Sequence, residues 1–120
     1  MAISDPLSIT VGADTFALAR TGFGQDSGTF RSSDGDNDVV ISHKYGNRVR
    51  HSVRFNHSQL VADELVDGLS RMASMSVMIT VDTPKSGYEL AAQRGIVEAL
   101  VSMLTASSSA QLVKILGGES

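Results

Sequence analysis

One stretch constrains this chain more than any other: "RVRHSVRF", residues 48–55. Arg48, Arg50, Ser52 and Arg54 occupy one parity and Val49, His51, Val53 and Phe55 the other. That is the period of a strand with one face in a core and one in solvent. Just upstream, Val39, Ile41 and His43 alternate in the same way with Val40, Ser42 and Lys44, and "YGN" lies between the two runs. Matching patterns on either side of a short Gly/Asn segment predict a hairpin. If Val39, Ile41, Val49 and Val53 share the core face, opposed residues have equal parity and the loop holds an odd number of residues. The expected loop is therefore Tyr45, Gly46 and Asn47, with a Gly or Asn in a left-handed conformation. On that register Lys44 faces Arg48, Ser42 faces Arg50, Val40 faces Ser52 and Asp38 faces Arg54.

Charge is unevenly spread. Four of the ten Lys and Arg residues fall within residues 41–55, although the formal net charge is -3. Like charges directly across strands cost from a few tenths to about 1 kcal/mol. Lys44, Arg48 and Arg50 thus form a patch suited to an anion, while Arg54 is compensated by Asp38. The plain alternative is a solvated basic strand face that keeps the sheet soluble. Acid concentrates in "DGDND" and "ADELVDG", which read as loops. The mildly acidic total argues against indiscriminate coating of nucleic acid.

At 120 residues the chain is long enough for one core and too short for two. It has no Cys, so neither a disulfide framework nor a thiolate metal site is available. No apolar run is expected to reach the roughly 20 residues of a membrane span, and "MAISDPLSIT" lacks the pattern of a signal peptide, so synthesis in the cytoplasm is expected. "LSITV" and "TFALAR" around Gly12-Ala13-Asp14 predict an N-terminal hairpin over about residues 6–20. "GTFRSS", the two strands above and "SVMITV" (76–81) continue a sheet over about residues 28–82. The segment from Ala62 to Ala73 reads as a long loop, and loops of that length usually have a function. After Pro84 the period becomes helical. Ser86 and Glu89 suggest a capping box, and Leu90, Val97, Leu100, Val101 and Leu104 form an apolar stripe on a helix over about 86–105. A short second helix, about 109–116, follows the serine run and stops at Gly117-Gly118. The fold class is α+β: a hairpin and a five-stranded antiparallel sheet followed by two helices.

Other chemistry finds little support. His43 and His51 fall on the core face and His57 near a strand end, without metal-ligand spacing, so hydrogen-bonded structural histidines are expected. Asp34, Asp36 and Asp38 imitate the start of a calcium loop, but the sixth position is not Gly and the twelfth is Tyr45. Gly22-Phe23-Gly24 has no phosphate-loop Lys and reads as loop punctuation. No nucleophile-base pair or paired carboxylates are suggested by position. No cofactor, no metal and no enzymatic activity are expected.

Two helices barely cover such a sheet, and Leu100, Val101, Met103 and Leu104 spread apolar surface around the long helix, so a partner subunit is expected; the plain alternative is a helix buried deep in a monomer. The order of features resembles the coat proteins of single-stranded RNA bacteriophages, the leviviruses. It comprises an N-terminal hairpin, the basic alternating strand "NRVRHSVRF", a variable loop, a strand ending "SVMITVDTP", a long helix and a short closing helix ending "ILGGES". The resemblance covers nearly the whole chain. It implies a homodimer whose helices interlock across a continuous sheet, with Leu90, Val97, Leu100, Val101 and Leu104 at the dimer interface. It implies assembly into an icosahedral shell in the bacterial host cytoplasm, with no membrane involved. The helix-free face would bind genomic RNA through Ser42, Lys44, Arg48, Arg50, Ser52, Arg54, Ser76, Met78 and Thr80, and an operator hairpin bound there would repress replicase translation. Asp63, Glu64, Leu65, Val66, Asp67, Gly68 and Leu69 match the loop that joins dimers around symmetry axes. The chain departs from the best-known members in its tight "YGN" turn and in lacking an aromatic residue on the inner face of the last strand. The alternative is a cellular dimeric module that binds RNA or another anion without forming a shell.

Overall fold

The computed structural model describes residue 3, residues 6–62, residues 65 and 68, and residues 70–120. The chain divides into two units, residues 1–82 and 83–120. The first carries strands β1 (Leu7–Val11), β2 (Asp14–Gly24), β3 (Ser27–Ser32), β4 (Asn37–Lys44), β5 (Arg48–Ala62) and most of β6 (Ser70–Pro84). They lie in one antiparallel sheet in chain order, β1 to β6. The N-terminal hairpin is not separate from a five-stranded sheet as expected: β2 pairs directly with β3, so the sheet has six strands.

The alternation read from the sequence sets the two faces. Leu18, Phe30 and Val39 are buried at 0%, 1% and 4% exposure, with Leu7, Ile9, Phe16, Ile41 and Phe55 packed around them. Phe30 pairs with Val39 and Val39 with Phe55, so this core is one row of large side chains crossing three strands. A register shift between Arg20 and Gly22 lets β2 continue through Gly22, Phe23 and Gly24, which therefore belong to a strand and not to a loop.

The acidic run is a hairpin turn. The Ser32 hydroxyl donates to an Asp34 carboxylate oxygen. The same oxygen accepts the Asp36 N–H at 3.0 Å, and the Asn37 N–H donates to the Ser32 hydroxyl at 3.2 Å. Gly35, at φ +79°, supplies the left-handed residue that closes it. Asn37 is 1% exposed, and its side-chain oxygen lies 2.6 Å from His57 Nδ1, which donates to it. His57 thus sits within β5 and not near a strand end.

The β4–β5 register differs from the expected one by two residues. Lys44 pairs with Arg50, Ser42 with Ser52, Val40 with Arg54 and Asp38 with Asn56. Parity is kept, so the faces are as read, but the tip is wider. Neither Gly46 nor Asn47 has a positive φ, and without a left-handed residue the three-residue loop cannot close. β5 and β6 also run longer than expected, to Ala62 and from Ser70, so Ser70–Ala73 is strand and the connection shrinks to residues 63–69.

The second unit is helical. Element α1 spans Leu90–Leu116 but loses helical geometry at Ala106, Ser107, Ser108 and Ser109, the three serines having φ of 54°, 57° and 65°. It is thus two helical segments across a kink. Ser86 does not cap it: Glu89 is the N-cap residue and makes no side-chain capping bond. The C-terminus is closed by paired bonds from the Gly118 N–H to Ile115 O and from the Glu119 N–H to Lys114 O, both 3.0 Å, with Gly118 at φ +93°. This is the motif a terminal Gly permits. Taken whole, α1 is long and apolar enough to cross a membrane, contrary to expectation. The segment before the kink, 90–105, is only about 24 Å long at 1.5 Å per residue, against roughly 30 Å of hydrocarbon.

The Ser32 hydroxyl, and next the Asp36 N–H, hold the Asp34 carboxyl below its ordinary value. A carboxyl with a lowered folded pKa contributes stability above its unfolded pKa and loses it as pH falls through the folded one. Acid titration followed by NMR should show Asp34 protonating below an ordinary aspartate. Ser32→Ala should move that titration upward, and an unmoved one would mean that the hydroxyl does not hold the turn.

Candidate nucleic-acid interface

The face opposite the core row collects the even-numbered side chains of β4 and β5. Ser42 and Ser52 are half-buried cross-strand partners. Lys44 and Arg50 stand opposite each other at the exposed end. Arg54 lies across from Val40 and donates from Nε to the Asn56 side-chain oxygen on its own strand at 3.0 Å. The expected Arg54–Asp38 pair is therefore absent. Asp38 instead meets Arg31 of β3 at 3.9 Å.

Arg48 and Arg50 also have an acidic neighbour, contrary to expectation. Asp82 of β6 accepts from Arg48 Nε at 3.1 Å and lies 3.8 Å from Arg50 Nη2. This fixes which side of β6 shares the basic face. Ser76, Met78 and Thr80 have the parity of Asp82 and are all exposed. Lys44, Tyr45, Asn47, Arg48, Arg50 and Asp82 line an open depression of about 220 Å³ at the hairpin tip. Three cations to one carboxylate leave it net positive.

The other face of the sheet is apolar and in part uncovered. Val53, Val77 and Ile79 are 42%, 49% and 47% exposed. His43 and His51 are cross-strand partners there, half-buried, with Nδ1 atoms 2.8 Å apart. They are hydrogen-bonded to each other as expected of structural histidines. No group of three or more metal-ligating side chains occurs among the described residues.

The predicted dimer-interface residues all lie on α1. Val97 and Leu104 are half-buried, whereas Leu90, Leu100 and Val101 are exposed, and no residue of the helix is buried. Of the predicted inter-dimer loop, Leu65 is exposed and Gly68 has φ +83°. Asp63, Glu64, Val66, Asp67 and Leu69 lie outside the described residues.

No family model matches the sequence, and no curated protein matches it. Solved structures do match in fold. A virus-like particle of bacteriophage AVE019 superposes with a TM-score of 0.79 at 16% identity, over 95% of each chain. The fold is that of the levi-like phage capsid proteins. The virus-like particle of Beihai levi-like virus 21 gives a TM-score of 0.72 at 14% identity over 96% of this chain and 94% of its own. The capsid protein of bacteriophage GA gives 0.63 at 10% identity over 91% and 88%. The capsid fold thus accounts for the chain from the first strand to the closing helix at identities where sequence alone aligns poorly.

Sequence reasoning missed Asp82, Asn56 and the Arg31–Asp38 pair. Asp82 stands in the quoted "VDTP", but only the β5–β6 pairing brings it to the arginines. With Asp38 held elsewhere and only the exposed bond to Asn56 lost, Arg54→Ala should leave the unfolding free energy unchanged to within about 0.5 kcal/mol. A larger loss that Asp38→Asn removes would mean that Asp38 and Arg54 pair after all.

Proposed function

We propose that this chain is a shell-forming coat protein of a single-stranded RNA phage, working as a dimer that encloses RNA against its basic sheet face. The observation that carries this reading is the pair of uncovered apolar surfaces. The helix leaves Leu100, Val101 and Met103 exposed at 56%, 41% and 47%, while the sheet leaves Val53, Val77 and Ile79 exposed on the face without the basic side chains. Several large apolar side chains exposed on one element are a feature of interaction surfaces. β6 adds a second reason. It is fifteen residues long and ends the strand order, so one backbone edge is left for another strand, and long bare edges are pairing sites. A second copy would meet both needs by continuing the sheet along β6 and laying its helix over the apolar face.

The opposite face would then line the shell interior. Lys44, Arg48, Arg50 and Arg54 would bind phosphates, which position RNA without specifying its sequence. Ser42, Ser52, Ser76 and Thr80 would reach sugars or splayed bases, with Met78 offering apolar contact. Binding of an operator hairpin on this face would also repress replicase translation. Residues 63–69 would join dimers around symmetry axes. The role is structural and not catalytic. The protein would be made and assembled in the host cytoplasm and end in the virion.

Expression of the chain alone, followed by size exclusion with absorbance at 260 and 280 nm, tests this directly. The expected product is large, nuclease-resistant particles whose absorbance ratio reports enclosed nucleic acid. Dimers free of nucleic acid that never assemble would contradict the shell, and would favour a dimeric anion-binding module.

A further inference from the structure

We infer that Asp82 is a positioning residue for the basic face: its carboxylate holds Arg48 side-on, so that the free fork of the guanidinium grips a backbone phosphate of single-stranded RNA. The inference rests on the RNA-binding reading above and deepens it. A guanidinium has five N–H donors in a fixed plane. Arg48 spends the Nε–H on Asp82 Oδ1 at 3.1 Å, which leaves the Nη edge for an incoming anion. That edge matches the two oxygens of a phosphate. The second carboxylate oxygen lies 3.8 Å from Arg50 Nη2, too long for a hydrogen bond but close enough to offset charge. Lys44 stands across from Arg50 on the neighbouring strand, so without Asp82 three cations would crowd one depression and spread apart. The arginine side chains are 57% exposed and that of Asp82 40%, so RNA can reach the site from solvent.

Charge alone predicts the opposite of positioning. A carboxylate beside an RNA site repels RNA, and removing it should tighten binding and steepen the salt dependence. Salt weakens the repulsion without removing it, because a phosphate on the same guanidinium would lie inside the roughly 8 Å Debye length at 0.15 M. The two effects separate by variant. In Asp82→Asn the side-chain oxygen still accepts from Arg48 Nε without the charge. In Asp82→Ala nothing does.

The test is the affinity of the dimer for a fluorescent homopolymeric single-stranded RNA oligonucleotide, measured from low to moderate salt. At about 0.15 M, Asp82→Asn should bind at least as tightly as the parent, and Asp82→Ala should bind about two- to fivefold more weakly than Asp82→Asn, the range of one exposed charged contact. Arg48→Lys leaves Asp82 in place and keeps the charge but has no fork. It should fall to the level of Asp82→Ala, and this arm holds even if that variant folds poorly. Equal affinities for Asp82→Asn and Asp82→Ala, or an Arg48→Lys protein that binds like the parent, would overturn the inference and leave RNA binding itself standing. A parent protein that does not bind the oligonucleotide would overturn both.

Discussion

The structure depends on the segregation of large apolar and basic side chains by parity along β4 and β5. Val39, Ile41, Val53 and Phe55 share one face, while Lys44, Arg50 and Arg54 share the other. Because successive side chains of a strand point to opposite faces, a slip of β5 by one residue would turn Arg48, Arg50 and Arg54 to the core face. The core row of Phe30, Val39 and Phe55 therefore fixes the basic face as firmly as it fixes itself. Register shifts of two residues remain possible under that constraint, and the wide hairpin tip is such a shift.

The same segregation leaves the chain short of cover. Each half-exposed side chain such as Val77 or Ile79 would contribute roughly 1 kcal/mol more on full burial, about half the value for a fully exposed one. Domains of this size are stable by only about 5–15 kcal/mol, so several such residues decide whether a lone chain holds together. The serine break at 107–109 divides the helix, and the segment before it is shorter than the hydrocarbon of a bilayer. A second copy, as proposed above, would supply the cover and leave the charged face open.

How far the sequence made this legible follows from which interactions are local. Alternation through residues 39–55, the turns near Gly12 and Gly35, and the apolar helix with its Gly117-Gly118 stop are all short-range signals, and the fold class and the two faces could be read from them. The tip register could not, because parity admits both three- and five-residue loops, and only the absence of a positive φ at Gly46 and Asn47 separates them. The far half of β5, "NHSQLVA", and the start of β6 lack strong alternation, so their extent is set by pairing across the sheet. The helix start was misplaced because Ser86 and Glu89 have the spacing of a capping box while Gly87, at φ +110°, turns the chain between them. Asp82 is the most consequential residue missed. It lies 34 positions from Arg48 along the chain, and nothing in either segment announces the contact.

Equilibrium unfolding across a hundredfold range of protein concentration tests the central claim, that the apolar helix and sheet face require a second copy. Assembly-competent particles are first dissociated to their smallest folded species, and the denaturation midpoint is then followed. If folding and association are one event, the midpoint rises with concentration, because an obligate dimer's stability is inseparable from mass action. A midpoint independent of concentration, with a well-folded monomer in dilute solution, would contradict the account.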